Sequence, residues 1–435
     1  MDTIFDQLIA DFHERPLPAL TRRDIRLPWI PGKIDTVMGM RRSGKTWFVY
    51  QVIDDLLNQG RSKESVLYVS LEDERILPLK GSELHRIPEA YYRRYPHLKT
   101  QQCVFCLDEV QNVVGWETFA RRLLDTENVH LVLTGSSAKL LSREIATGLR
   151  GRAIATEIFP FRFSEALRHA GIEAPGSRRP GSGHRARIEH AFRRYLLEGG
   201  FPEVQSLQAE YRVRILQDYL DVVILRDVVD RHQVANTTVL RTMIRHLLNA
   251  AACLFSVNKF YQALRSQGLP AGKNTLHDYL AYLADAYLFF PVAIRTRSER
   301  ARSVNPKKMY AIDTGLVQAC SRSVRPDWGH LLENFVFLEL RRRHRLIEYY
   351  RTQSGLEVDF IVPEQDGTLQ LIQVSAEIEN PSTRERELRA LTEAMQECGL
   401  SSGTVVTFNH EEFLQAGACS IRFVPAWLWA LQDLE

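Results

Sequence analysis

Gly39-Met40-Arg41-Arg42-Ser43-Gly44-Lys45-Thr46 fits the pattern G-x-x-x-x-G-K-[ST] at every fixed position. Residues 34–38 before it read as a short buried strand, and residues 47–57 after it as a helix. A strand, a glycine-bounded loop and a helix start are what phosphate binding needs. The glycines let backbone N–H groups turn inward, and the helix N-terminus adds the positive end of a dipole. Gly39, Met40, Arg41, Arg42, Ser43, Gly44, Lys45, Thr46 and Trp47 are therefore expected to hold a nucleoside triphosphate. Lys45 would reach the β- and γ-phosphates, and the Thr46 hydroxyl would hold Mg²⁺. ATP and Mg²⁺ are the cofactors this loop implies.

The strand expected at residues 104–109 ends in two acids, Val104-Phe105-Cys106-Leu107-Asp108-Glu109. Following a full phosphate loop, this is a Walker B pattern. Asp108 at the strand tip would hold the metal, and Glu109 would polarise the water that attacks the γ-phosphate. Two further strand ends belong to the same edge of the sheet. Residues 65–70 run into Leu71-Glu72-Asp73-Glu74-Arg75, either a ligand-facing cluster or a solvated turn. Residues 129–133 run into Thr134-Gly135-Ser136-Ser137. There Thr134 or Ser136 would orient the water, cap the helix starting near residue 138, or do both. Arg150 and Arg152 are either charge-stabilising fingers, in cis or in trans, or surface arginines.

The 435-residue length suggests about two to four domains. A net charge of +3 neither requires nor excludes a nucleic-acid partner. No apolar run reaches the ~18–20 residues of a membrane helix, and residues 1–20 lack an apolar signal core. Cys103 and Cys106 have C-x-x-C spacing but lie inside an apolar run, so they read as buried strand residues. A reduced, cytoplasmic protein without a membrane partner is expected.

Residues 170–187 are rich in Gly, Pro, Ser and Arg and read as a linker; helical sequence broken at Gly199-Gly200-Phe201-Pro202 follows, suited to a lid. From residue 237, three helical patterns with a tight turn at Gln267-Gly268-Leu269-Pro270 precede two strand-like segments, 291–296 and 308–313. That order resembles a winged helix. Its recognition helix would begin Lys273-Asn274-Thr275, with His277 facing out, and Arg295, Arg297, Arg300 and Arg302 would suit a wing. The surface would serve DNA or a protein. Glu333 on a helix and Asp359 on a strand begin the arrangement of a metal-dependent nuclease, but the strand E-x-K that completes it reads Gln373-Val374-Ser375. Glu364 or Glu377 are candidates to fill the gap, although loss of cutting is expected.

With these pieces in order, the chain resembles a class of prokaryotic AAA-type ATPases in which an N-terminal AAA domain is joined to a C-terminal domain of unknown function. The resemblance rests on residues 39–46, Leu71-Glu72-Asp73-Glu74-Arg75, Leu107-Asp108-Glu109-Val110-Gln111, Leu133-Thr134-Gly135-Ser136-Ser137, Gly199-Gly200-Phe201-Pro202, residues 308–315, Glu333-Asn334 and Glu357-Val358-Asp359-Phe360. It implies an α/β protein: a P-loop AAA-type parallel-sheet core over 1–170, a linker and helical lid over 171–236, a winged helix over 237–302, and a degenerate restriction-endonuclease-like α/β domain over 303–435. It also implies an ATP-hydrolysing motor or switch on DNA, branched or structured DNA included, and a homo-oligomer. The alternatives are an ATP-controlled switch binding a protein partner and an ATP-dependent nuclease.

Overall fold

Short, almost wholly apolar runs make strands that must be covered on both faces, as parallel sheets are. In the computed structural model, β1 (Ile34–Met38), β3 (Cys103–Asp108) and β4 (Val129–Gly135) are buried along their entire lengths. With β2 (Val66–Ser70) and β5 (Ala153–Glu157) they form a five-stranded parallel sheet of order β2-β3-β4-β1-β5. Cys103 and Cys106 are buried in β3 as free thiols, as their apolar setting predicts. The helix Lys45–Asn58 turns Phe48, Val49, Val52, Ile53 and Leu56 onto Val37, Val66, Val104, Val132 and Ile158. Each such burial is worth about 1.5–3 kcal/mol. Because β4 and β5 flank β1 on opposite sides, the loop after β1 opens at a switch point of the sheet, where ligands bind in α/β folds.

The structure describes residues 2–136, 149, 151–175, 180–321, 325–364, 366–416 and 419–432. Ser137 and Arg150 lie outside the described residues. The chain divides into two compact units, residues 1–159 with 285–287, and residues 160–284 with 288–435. The division falls at Phe159, earlier than the expected 170. The reason is local: Phe161 donates its N–H to Gly200 O at 2.7 Å and accepts from the Tyr195 hydroxyl at 2.6 Å. The helices Ser182–Glu198 and Ala209–Val222, read from sequence as a lid, pack on the helix Thr314–Cys320 within the second unit. Gly315 makes that packing possible, since a Cβ there would stand 2.2 Å from Glu198 O.

The second unit is built on one nine-stranded mixed sheet, β13-β14-β12-β11-β10-β9-β7-β8-β6. Its strands are β6 (Leu254–Phe255), β7 (Phe289–Ile294), β8 (Lys307–Ala311), β9 (Glu348–Arg351), β10 (Glu357–Pro363), β11 (Leu369–Ser375), β12 (Ser402–Thr407), β13 (Glu412–Ala416) and β14 (Cys419–Pro425). The helices Thr237–Asn249, Val257–Ser266 and Lys273–Asp285 with β6, β7 and β8 run in the order helix, strand, two helices and two strands. Two details differ from expectation. The segment between β7 and β8, expected as a wing, contains the helix Glu299–Val304, capped by Ser298, and β8 runs to Ala311, past residue 302. In addition, β7 pairs in parallel with β9 through Ala293↔Glu348 and Ile294↔Tyr349, so these strands and the end-domain strands share one sheet.

Candidate active site

The phosphate loop leaves β1 at Met38 and enters its helix at Lys45. Gly39 is glycine for a steric reason: a Cβ would lie 2.1 Å from the Ile158 carbonyl oxygen. Arg42 (φ 67°) and Gly44 (φ 97°) adopt left-handed backbone, which turns successive N–H groups to one side as an anion-binding concavity requires. The Ser43 hydroxyl is buried in this loop without a hydrogen-bond partner among the described residues. A buried donor without a protein partner in a nest of amides fits an oxyanion ligand. Lys45 is buried, and its ammonium lies 3.2 Å from Gly39 O and 3.3 Å from Met40 O. Trp47 is exposed; its indole meets Tyr50 edge-on at 6.0 Å rather than the loop.

Asp108 and Glu109 both reach this loop. The Thr46 hydroxyl donates to Asp108 Oδ2 at 2.8 Å, so the two expected metal-holding groups are in contact. Tyr68 donates to the same oxygen at 2.9 Å, a contact absent from the sequence reading. Burial pushes the Asp108 carboxyl above its usual range, against the hydrogen bonds from Thr134, Thr46 and Tyr68. Glu109 sits 3.4 Å from the Lys45 ammonium on left-handed backbone (φ 55°). Burial alone would raise its carboxyl, but Lys45, Gln111 and Arg41 outweigh burial and hold it below the usual range. Both acids, the hydroxyl and the ammonium therefore converge as a triphosphate with Mg²⁺ requires.

Thr134 corrects one expectation. It is fully buried; its hydroxyl donates to Asp108 Oδ1 and accepts the Glu109 N–H at 2.8 Å. Its hydroxyl is therefore committed to the two acids. Ser136 Oγ accepts from Gln111 Nε2 at 3.3 Å, and the same amide donates to Glu109, so Gln111 ties Ser136 to the acid. The pattern L-D-E-V-Q carried that residue without revealing its part.

Arg152 corrects another. It precedes Ala153, which pairs with Ile34 at the start of β1, whereas the phosphate loop follows Met38 at its end. Four residue steps at ~3.3 Å separate those levels of the sheet by about 13 Å. Arg152 pairs there with Asp125 and is no finger for its own chain's site. Of the acidic cluster after β2, Glu72 faces the loop through Arg41 at 3.7 Å, while Asp73 closes a local turn onto Arg75 at 2.8 Å.

In the second unit, Lys273, Asn274 and His277 are exposed at the start of the helix Lys273–Asp285, and Thr275 is partly exposed. The Lys273 ammonium stands 5.3 Å over the Tyr261 ring. Arg297 is exposed. Arg295 departs from expectation: it pairs with the buried Glu348 at 3.1 Å, as Arg302 does at 3.2 Å. A buried carboxylate needs such partners, so Arg295 belongs to the sheet rather than to the candidate DNA surface.

The nuclease-like positions hold a further residue the sequence reading missed. Lys308 on β8 is buried with its ammonium 2.7 Å from Asp359, 3.0 Å from Glu333 and 3.0 Å from Glu357. Tyr310 also donates to Glu333, at 2.7 Å. Burial opposes the lysine's charge, but Asp359, Glu333 and Glu357 prevail and hold it well above its ordinary range. Gln373 donates to Glu387 Oε2 at 2.6 Å, so Glu387 on the helix Pro381–Cys398 is a further acid in direct contact with this position.

Residues 31–167 match the model of an AAA domain, 189–326 a domain of unknown function (DUF8612) and 328–429 another (DUF4143). The chain is 33% identical to the uncharacterized protein MJ1544 of Methanocaldococcus jannaschii over 98% of its own length and 95% of that protein's. It is 29% identical to an uncharacterized protein of Haemophilus influenzae over 79% of its length and 83% of that protein's. Among solved structures, the Walker-type ATPase PABY2304 of Pyrococcus abyssi is similar over 74% of this chain and 95% of its own, at 13% identity and a TM-score of 0.40. No helix among the described residues is long and apolar enough to cross a membrane. Matched from end to end by its archaeal relative, with the phosphate loop and both acids inside the AAA match, the chain belongs to the family of MJ1544: an AAA domain followed by two domains of unknown function.

Proposed function

We propose that the protein is an Mg²⁺-dependent ATP hydrolase whose turnover drives a motor or switch acting on DNA. The observation that carries the hydrolase reading is the 3.4 Å approach of Lys45 to Glu109 beside the 2.8 Å contact of Thr46 with Asp108. Lys45 leaves Glu109 for the β- and γ-phosphates when ATP binds. Glu109, released from its ion pair, then accepts a proton from the attacking water as the oxygen bridging the γ-phosphorus is displaced. Thr134 and Gln111 keep the two acids in register. Thr46 and Asp108 would hold Mg²⁺, which supplies charge neutralisation at the β- and γ-oxygens. Arg152 would act only on a neighbouring copy in a homo-oligomer.

The exposed Lys273, Asn274 and His277 at a helix start support DNA as the object of the switch. The commitment of Arg295 and Arg302 to Glu348 supports a second reading, an ATP-controlled switch that binds a protein. A gel-shift panel of single-stranded, duplex and branched DNA, with and without ATP, separates the two. Salt-dependent binding supports DNA; its absence on every substrate leaves the protein partner.

A further inference from the structure

Cys253, His330 and Asp327 form a chain of contacts in the second unit that the ATPase chemistry does not use. The Cys253 sulfur lies 3.3 Å from His330 Nε2, and His330 Nδ1 lies 3.0 Å from Asp327 Oδ2. Asp327 is also the N-cap of the helix Trp328–Arg343, accepting the His330 N–H through Oδ1 at 3.1 Å. One carboxylate thus starts the helix and orients the ring. With Nδ1–H donated to Asp327, the Nε2 lone pair faces the thiol. A nucleophile within reach of a base, and that base oriented by a third group, is the geometry of an activated thiol. Ala252 sits on left-handed backbone (φ 64°) beside the cysteine, and Cys253 and His330 are both partly exposed.

Among the described residues, the other cysteines have no such histidine partner. Burial pushes the thiols of Cys103, Cys106 and Cys398 up, and that of Cys320 up to about 11. Cys419 lies 3.9 Å from Leu400 O and is in contact with no base among the described residues. His330, by contrast, is held above its ordinary value by Cys253 first and by Asp327, against burial and the more distant Lys308 ammonium. These are the charged groups that face the ring.

We propose that Cys253 is a reactive thiol, activated by His330 and Asp327, that hydrogen peroxide converts to a sulfenic acid. The sulfur attacks one peroxide oxygen, an S–O bond forms and the O–O bond breaks. The departing hydroxide takes the proton held by His330 and leaves as water. The sulfur loses two electrons and the peroxide gains them.

Mass spectrometry of the full chain after limiting iodoacetamide tests the activation. Cys253 should be alkylated about tenfold faster than Cys320 or Cys419 at neutral pH. His330→Ala should slow Cys253 about tenfold and give it the steep pH profile of a free thiol, while the other cysteines keep their rates. Asp327→Asn retains a helix-capping oxygen, so it keeps the fold and slows Cys253 in the same direction. Treatment with peroxide and dimedone should place the adduct on Cys253. Equal labelling of Cys253 and Cys419, a rate indifferent to both variants, or no dimedone adduct on Cys253 would each overturn the proposal.

Discussion

The Lys308 ammonium lies 2.7 Å from the Asp359 carboxylate, although β7 and β9 separate their strands in the sheet. The Lys308 side chain brings a positive charge into the space that Glu333, Glu357 and Asp359 enclose. The ammonium acts as a tethered counter-ion. Removing it leaves three acids facing one another, so Lys308→Met should cost about 3–5 kcal/mol. Urea unfolding measures the loss, and adding Asp359→Asn should recover part of it. No loss in Lys308→Met would mean that the acids are solvated and the lysine is incidental.

The same ion pair argues against cutting. A metal-dependent nuclease needs acids free to hold the ion and a group to activate water. Here the acids hold an ammonium, and Gln373 and Ser375 stand where the remaining acid and lysine belong. Labelled duplex and branched DNA should survive incubation in Mg²⁺ or Mn²⁺. Cleavage that disappears in Asp359→Ala would make the protein an ATP-coupled nuclease.

At the nucleotide site, Lys45 and Glu109 should separate by phenotype. Lys45→Ala removes the phosphate ligand and should weaken ATP binding. Glu109→Gln leaves the loop intact, and should bind ATP while slowing turnover by roughly 10²-fold or more. Nucleotide binding measured beside steady-state hydrolysis tells them apart. Wild-type turnover in Glu109→Gln would show that another group takes the proton.

Thr134→Val keeps the volume and deletes the hydroxyl between Asp108 and the Glu109 N–H. A buried donor left without its acceptor costs about 1–3 kcal/mol. The variant should lose hydrolysis more than ATP affinity, because it unfastens the acids but not the loop. A fall in affinity alone would place Thr134 in binding.

The nucleotide site was legible because its groups lie at strand ends a few residues apart, where spacing and chemistry coincide. Residues 39–46 and Asp108-Glu109 needed only a parallel sheet to bring them together. Lys308 was not legible, because its partners are 25 and 51 residues away, one on a helix and one beyond two intervening strands of the sheet, and only the tertiary fold sets them beside it. Tyr68 likewise meets Asp108 from a neighbouring strand 40 residues earlier. Arg295 looked available because charge alone was visible; the buried Glu348 that claims it lies 53 residues on. Local pattern yields elements and motifs, while pairings across the sheet remain hidden.

That distinction sets the DNA prediction. Replacing Lys273 and His277 with Ala should lower DNA affinity and flatten the log–log salt slope by roughly one unit for each phosphate no longer neutralised. Arg295→Ala should instead lower stability, since it uncovers Glu348. If Arg295→Ala weakens DNA binding as much as the double variant without changing thermal unfolding, the wing touches the DNA after all.

Asp313 gives a pH test. Its carboxylate accepts the Gly200 N–H at 2.7 Å and the Leu316 N–H at 2.9 Å, which joins the Gly199-Gly200 break to the helix Thr314–Cys320. Burial nevertheless raises its carboxyl from the ordinary 3.8 to about 6, and the backbone donors only partly offset this. The folded protein therefore holds this proton to higher pH than the unfolded chain does. Stability from this group is fully present below about 3.8, declines as the pH rises toward 6, and is level above it. The decline is at most ~3 kcal/mol at 1.36 kcal/mol per unit. Asp313→Asn cannot titrate and, with one carbonyl acceptor like the protonated acid, stands for the neutral form at every pH. The stability of wild type minus that of the variant should accordingly be highest near pH 4 and fall by pH 7, as urea unfolding across that range would reveal. A difference that grows with pH would mean that the two backbone donors outweigh burial.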